Sequence, residues 1–335
     1  MVGYPGSKRG WTVPQKNYTR VYDLFAGGLN WSKEVRKVSP KAKIHAAEAN
    51  PIQRTMLTIS PKRMERVMAI ATEKAATLKL FLNPKWGGTG TYADYYDTDQ
   101  LTQAWRYICK VPFDRGMAGN VDDEAIAAQI IVSTYGYGAN IRMSNNGMNV
   151  SVNHQKLLKQ WPKSPDRFKV TKMVGDYRQM EIKGYDRGIA LIDPMYWMPV
   201  ASKKTHKALT ACYPGHNPYG DDGYETYRDA IDRCCRVTVG TVLIAGYYSD
   251  ELNALVQDMA RCYGYNVTII SHGKADTQAN KHKHRQTHGK RSAKSGLLDN
   301  IDTEWQLTFN PGMVTLRGGL QVAFSDHNDE WGMAA

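Results

Sequence analysis

VYDLFAGGLNWSKEVRKVSPKAKIHAAEANP, residues 21–51, decides how this chain folds. Residues 21–25 are apolar apart from Asp23 and run into Ala26-Gly27-Gly28, the pattern of a short strand closing on a tight turn. The spacing that follows predicts a short helix over Ser32–Val38 with Ser32 as its N-cap. Lys43–Ala47 then reads as a second strand ending on Glu48, and Asn50-Pro51 opens the next helix. A strand, a glycine turn, a helix and a second strand ending in an acid form the opening βαβ unit of a nucleotide-binding α/β domain. In such a unit the glycine turn lets a ligand approach the backbone, and the acid is placed to accept hydrogen bonds from ribose hydroxyls.

Further along, Arg54 to about Leu80 is helical in pattern, broken at Pro61, and Pro84–Asp99 is loop-like. Helical patterns return at Leu101–Cys109 and Val121–Val132, and paired Asn and Gly residues within 134–152 suggest a β-hairpin. Strand signals of the α/β type resume at Gly188–Ile192, Thr241–Ala245 and Asn266–Ile270, with helices Tyr224–Arg236 and Asp250–Tyr263 between them. Thr303–Phe309 and Met313–Phe324 read as closing antiparallel strands. The simplest organisation is an α/β domain built from residues 1–53 and 170–335, interrupted by a mainly helical insertion over 54–169.

Composition narrows the partners. The chain has 335 residues and a formal net charge of +12, which points to an anionic partner, nucleic acid first. Lys274, Lys281, Lys283, Arg285, Lys290, Arg291 and Lys294 crowd one short window, where a basic loop can close on a phosphate backbone by counterion release. The histidines in that window lack cysteines at finger-like spacing, so no metal site is expected. The five cysteines have no framework spacing and read as reduced thiols of a cytoplasmic protein. No apolar run is long enough for a membrane span. The pattern G-x-G-x-x-G is missing, which counts against a dinucleotide. Gly3-x-x-Gly6-Ser7-Lys8 has the wrong spacing for a P-loop.

Several motifs in order carry a more specific resemblance. They are Tyr4-Pro5-Gly6-Ser7-Lys8, then Asp23-Leu24-Phe25-Ala26-Gly27-Gly28-Leu29, then Glu48-Ala49-Asn50. Tyr135-Gly136-Tyr137-Gly138, Arg142 and Gly147-Met148-Asn149-Val150 follow, then Asp193-Pro194-Met195-Tyr196, and finally Thr303–Phe309 behind the basic loop. The chain resembles the Dam-like family of DNA adenine-N6 methyltransferases over nearly its whole length. The resemblance implies a Rossmann-like S-adenosylmethionine-dependent methyltransferase sheet with helices on both faces, and it makes the insertion a target-recognition domain.

By the same resemblance, Tyr4, Lys8, Asp23, Phe25, Gly27, Glu48 and Asp193 would hold S-adenosylmethionine. Tyr137 and Arg142 would read DNA, and Lys281, Lys283, Arg285, Lys290 and Arg291 would grip its backbone. Asp193 and the Pro194 carbonyl would accept the two hydrogens of the adenine amine and aim its lone pair at the methyl group. Tyr196 would stack on a base flipped out of the helix, and Trp197 either extends that wall or belongs to the core. The family's second proline is replaced by Met195, which implies less rigidity, and its last motif glycine by Leu29, which implies crowding of the cofactor's methionine end. Cytosine N4 as the acceptor, and a non-catalytic DNA-binding member of the same fold, stay open as alternatives. A cytosine-C5 mechanism does not, because no cysteine follows a proline. The DNA partner is expected to be double- or single-stranded.

Overall fold

The computed structural model describes residues 11, 13–14, 17–78, 89–91, 103–104, 106–135, 149–151, 169–197, 220–274, 301–310, 313–316 and 320–323. β1 (Arg20–Asp23) is the hinge of the topology. It pairs in parallel with β2 (Lys43–Ala47) on one side and with β6 (Tyr185–Ile192) on the other. β2 pairs outward with β5 (Lys172–Val174). Beyond β6 lie β7 (Val239–Tyr247), β9 (Ile301–Phe309) and β8 (Tyr265–Lys274), giving the seven-stranded order β5-β2-β1-β6-β7-β9-β8. β9 alone runs antiparallel to its neighbours. This is a mixed, mostly parallel α/β sheet compatible with a Rossmann-like fold. Its chain order reverses between β1 and β6, and in open α/β sheets ligands bind at such a reversal, outside the carboxyl ends of the strands.

Each face of the sheet carries its own core. α1 (Asn30–Val38) covers one face, where Trp31 and Val35 pack with Val21, Ile44, Leu191 and Leu243. On the other face, Tyr227 and Ile231 of α6 (Gly220–Cys235) and Leu252 and Val256 of α7 (Asp250–Tyr263) pack around Trp305, whose indole N–H donates to Asn253 Oδ1 at 3.1 Å. Side chains alternate between faces along a strand. Val21, Ala46 and Leu191 lie on the α1 side, so Asp23, Glu48 and Asp193, each two residues further on, are directed toward that side as well.

A third core is helical. It is built by α2 (Pro51–Thr58), α3 (Pro61–Thr77), a π-helical turn (Arg106–Lys110), α4 (Val111–Met117) and α5 (Asp123–Tyr135). α5 is apolar on all sides over Ala125–Val132 except for Gln129, and every one of those residues is buried, as expected of a helix enclosed by others. α2 begins where the sequence indicates: Asn50 Oδ1 accepts from the Ile52 and Gln53 amides, both at 3.0 Å, with Pro51 in the first turn. Among the described residues, no helix is long and apolar enough to cross a membrane.

Several expectations need correction. α1 starts at Asn30 rather than at Ser32, and the Ser32 hydroxyl donates to Asp23 Oδ2 at 2.6 Å instead of capping the helix. The residue before the helix is Leu29, in the left-handed region with φ 57° and with no side-chain cap. The helical segment near Cys109 continues past it as α4. The hairpin expected within 134–152 falls mostly outside the described residues; at its two ends, α5 runs to Tyr135, and β4 (Asn149–Ser151) pairs with β3 (Thr89–Thr91), a partner far away in sequence. Met313–Phe324 is not one strand: β10 (Met313–Leu316) and β11 (Leu320–Ala323) pair with each other, around Arg317-Gly318-Gly319 in the sequence, and stay outside the main sheet.

Gly116 marks a tight contact between helices. A Cβ there would come within 2.7 Å of Ala125 Cβ and 2.8 Å of the Ile52 side chain. Alanine is normally favoured over glycine in a helix, yet Gly116→Ala is expected to destabilise the protein by about 1–3 kcal/mol through overpacking. Denaturant unfolding of the two proteins checks this.

Candidate active site

The glycine turn leaves β1 at Asp23 and reaches α1 through two left-handed residues, Gly27 at φ 47° and Leu29 at φ 57°. Gly27 adopts this conformation without steric cost. For Leu29 the cost is about 1–2 kcal/mol. It is offset by the side chain, which is buried in the α1-side core at 1% exposure rather than directed at the mouth of the turn. The turn is held by backbone bonds, Ala26 N–H to Ala47 O at 2.8 Å and Leu29 N–H to Ala26 O at 2.6 Å. Two side chains hold its carbonyls: Lys33 Nζ donates to Gly28 O at 2.8 Å and Gln53 Nε2 donates to Gly27 O at 3.0 Å.

Near the reversal of strand order, Asp23 acts electrostatically on Glu48 and feels Asp193 in turn. Asp23 is 2% exposed and Glu48 5%, while Asp193 is half-buried. Burial pushes the Asp23 carboxyl up to about 7, opposed by the Ser32 hydroxyl and reinforced by the negative charge of Asp193. Burial likewise pushes Glu48 up to about 8, opposed by the Asn50 and Gly27 amides that donate to it and reinforced by Asp23. The Asn50 amide lies 2.8 Å from Glu48 Oε1, and Arg54 Nη1 donates to the Glu48 carbonyl at 2.9 Å. Charge on any one carboxyl therefore works against charge on the next. The cluster suits a ligand that brings positive charge and hydroxyl donors.

After β6 the chain passes Asp193 and the buried Pro194. The Tyr196 ring then meets Tyr247 edge-on, with centroids 4.7 Å apart. Trp197 packs instead against Tyr224 of α6, at 5.6 Å, and joins the core on that side. Trp197 is thus half-buried against that core, while Tyr196 packs against the opposite, α1-side core. Tyr227 pins the segment: it is fully buried, donates to Ala245 O at 2.8 Å and accepts from the Trp197 amide. Burial, and secondarily Asp193, hold its phenol in the neutral form.

Of the residues singled out from sequence, Asp23, Phe25, Gly27, Glu48, Asp193, Pro194 and Tyr196 gather around the carboxyl ends of β1, β2 and β6. Tyr4, Lys8, Tyr137, Arg142, Lys281, Lys283, Arg285, Lys290 and Arg291 lie outside the described residues. The structure adds residues that sequence reading passed over. Tyr177, just after the short edge strand β5, packs on Phe25 at 4.8 Å. Between them in the chain, Gly175 approaches Arg54 so closely that a Cβ would lie 2.7 Å from its Nη1. Gln129 Nε2 donates to Gln53 Oε1 at 2.6 Å, linking α5 to the glycine turn. On β8, His272 Nε2 lies 3.0 Å from the fully buried Glu304, with Trp11 stacked on the imidazole at 4.0 Å. Only Gln129 left a legible signal, as the single polar residue in the run AIAAQIIV.

No family model matches the chain, and no curated protein matches it. The site therefore rests on its own geometry and chemistry.

The raised Asp23 and Glu48 pKa values carry a sign for stability. Between about pH 4 and pH 7–8 the folded protein holds protons that the unfolded chain releases, so this contribution is full below pH 4 and is lost as pH rises through about 7 to 8. Asp23→Asn keeps an acceptor for Ser32 and removes one of the two titrations. Its stability relative to the parent should rise between pH 5.5 and pH 8.5, as read from urea unfolding at the two values.

Proposed function

We propose that the protein is an S-adenosylmethionine-dependent DNA methyltransferase that methylates the exocyclic N6 of adenine in a flipped-out nucleotide. The observation that carries this reading is the convergence of Asp23, Glu48 and Asp193 beside the glycine turn, at the reversal of strand order between β1 and β6. Numbered by appearance within the main sheet, the strands run 3-2-1-4-5-7-6 with the seventh antiparallel. That order departs from the 3-2-1-4-5-6 of dinucleotide-binding sheets by its inserted antiparallel strand, which counts against a dinucleotide.

The residues present fit the cofactor. Glu48 and the turn between Asp23 and Asn30 would hold its ribose and its methionine portion. A sulfonium and an α-ammonium group arriving beside these carboxyls would favour their ionised forms, which complement the ligand's positive charge. When bound, the cofactor supplies a methyl group activated by the positive sulfur.

The remaining work falls to the chain itself. An aromatic amine is a poor nucleophile because its lone pair is delocalised into the ring. Asp193 and the Pro194 carbonyl accept its two N–H groups, which localises the lone pair and orients it. Tyr196, braced edge-on by Tyr247, offers a face for the base, and the Tyr227 hydroxyl holds the backbone of the segment that carries it. Pro194 restricts the backbone on the acceptor side, so Met195 in place of a second proline removes rigidity but no hydrogen-bonding group. DNA is supported as partner by the net charge of +12 and by the basic window around Lys281–Arg291.

Asp193→Ala should lower methyl transfer by about 10²–10³-fold, while cofactor affinity by calorimetry falls less than about tenfold. Transfer to oligonucleotides containing only A or only C reports the acceptor base, and retained activity in the variant refutes the role of Asp193. Replacing Lys281, Lys283 and Arg285 by Gln should weaken DNA binding uniformly across sequences. The slope of log K against log salt should flatten by about 0.9 per lost phosphate contact, measured by fluorescence anisotropy from low to moderate salt.

A further inference from the structure

We infer that Gln129 is a positioning residue that holds the cofactor-side glycine turn from within the helical core. The inference rests on the methyltransferase reading for its consequence but not for its geometry.

Gln129 lies in the middle of α5, fully buried, in a segment that is otherwise entirely apolar. Its Nε2 donates to Gln53 Oε1 at 2.6 Å, and Gln53 Nε2 donates to Gly27 O at 3.0 Å. The direction of this relay is forced, because a backbone carbonyl can only accept. Gln53 must therefore present its N–H to Gly27 and its oxygen to Gln129, and Gln129 must donate. On its other side the Gly27 peptide donates to Glu48. Gly27, in the left-handed region at φ 47°, is thus held at both its N–H and its carbonyl, which belong to successive peptides of the turn. Gln129 Oε1 is itself buried without a partner, a cost that an apolar residue would avoid. Stability alone does not account for an amide at this position, whereas holding Gln53 does. Because α5 packs against α2, α3 and α4, the relay ties the conformation of the turn to the packing of the helical core.

The test uses Gln129→Met and Gln53→Met, near-isosteric changes that break the relay at two points, together with the double variant. In the cofactor-free protein, hydrogen exchange across Phe25–Asn30 should quicken about tenfold in each single variant, the equilibrium effect of one buried hydrogen bond. The double variant should be no faster, because the residues act in series. The melting temperature should move by less than about 4 °C, and exchange in β7 should not change. The cofactor Kd should rise about tenfold in step with the turn.

Unchanged exchange at the turn, additive effects in the double variant, or faster exchange spread over the whole sheet would each overturn the assignment. If turn exchange responds as expected but the parent protein binds no S-adenosylmethionine, the relay stands and the methyltransferase reading falls.

Discussion

A reversal of strand order between β1 and β6 is the constraint on which the rest of the molecule depends. The chain leaves β1 toward β2 and β5, then returns to lay β6 along the opposite edge of β1, so the connections on the two sides diverge at the carboxyl ends, where ligands bind in open α/β sheets. Asp23 ends one of the two central strands and Asp193 follows the other. The same face of β2 delivers Glu48, because its residues alternate in register with those of β1. Carboxyl groups that would repel one another in an apolar setting are thereby held together by backbone geometry.

Holding them together has electrostatic consequences. Asp23 and Glu48 are satisfied as far as local groups allow, by Ser32, by backbone amides and by the Asn50 turn. Even so, burial wins over these bonds, and both remain protonated well above the ordinary carboxylate range. A site of this kind is poised to change its protonation when a cation enters, which couples ligand charge to local structure. The aromatic residues past Asp193 divide by face. Tyr196 meets Tyr247, and Trp197 turns toward the core with Tyr224. The rings that follow this strand end and its proline therefore pack on opposite faces of the sheet.

Much of this was legible before any coordinates. The glycine turn, the acid ending β2, the Asn50 cap and the strands at Gly188–Ile192, Thr241–Ala245 and Asn266–Ile270 follow from local rules of turn chemistry, capping and apolar runs. Other features follow no local rule. β5 is three residues long with a Lys at its start and half-buried Met and Val, so its pattern resembles a loop until β2 pairs with it. Ser32 has the composition of a helix cap, but the helix starts two residues before it, and its buried hydroxyl is taken by Asp23, nine residues earlier, whose buried carboxyl needs a hydrogen-bond partner. The pairing of β3 with β4 joins residues about sixty apart, which no local rule predicts.

By itself the sequence determined the α/β class, the order of the principal elements and the acids at the strand ends, because periodicity, caps and glycine turns act over a few residues. Tertiary structure alone decided which strands neighbour each other, that Asp23 feels the charge of Asp193, which way Trp197 packs, and that Gln129 reaches the glycine turn through Gln53. These depend on groups far apart in the chain being buried together. Burial turns a modest local preference into a strong one by removing water as the competing partner.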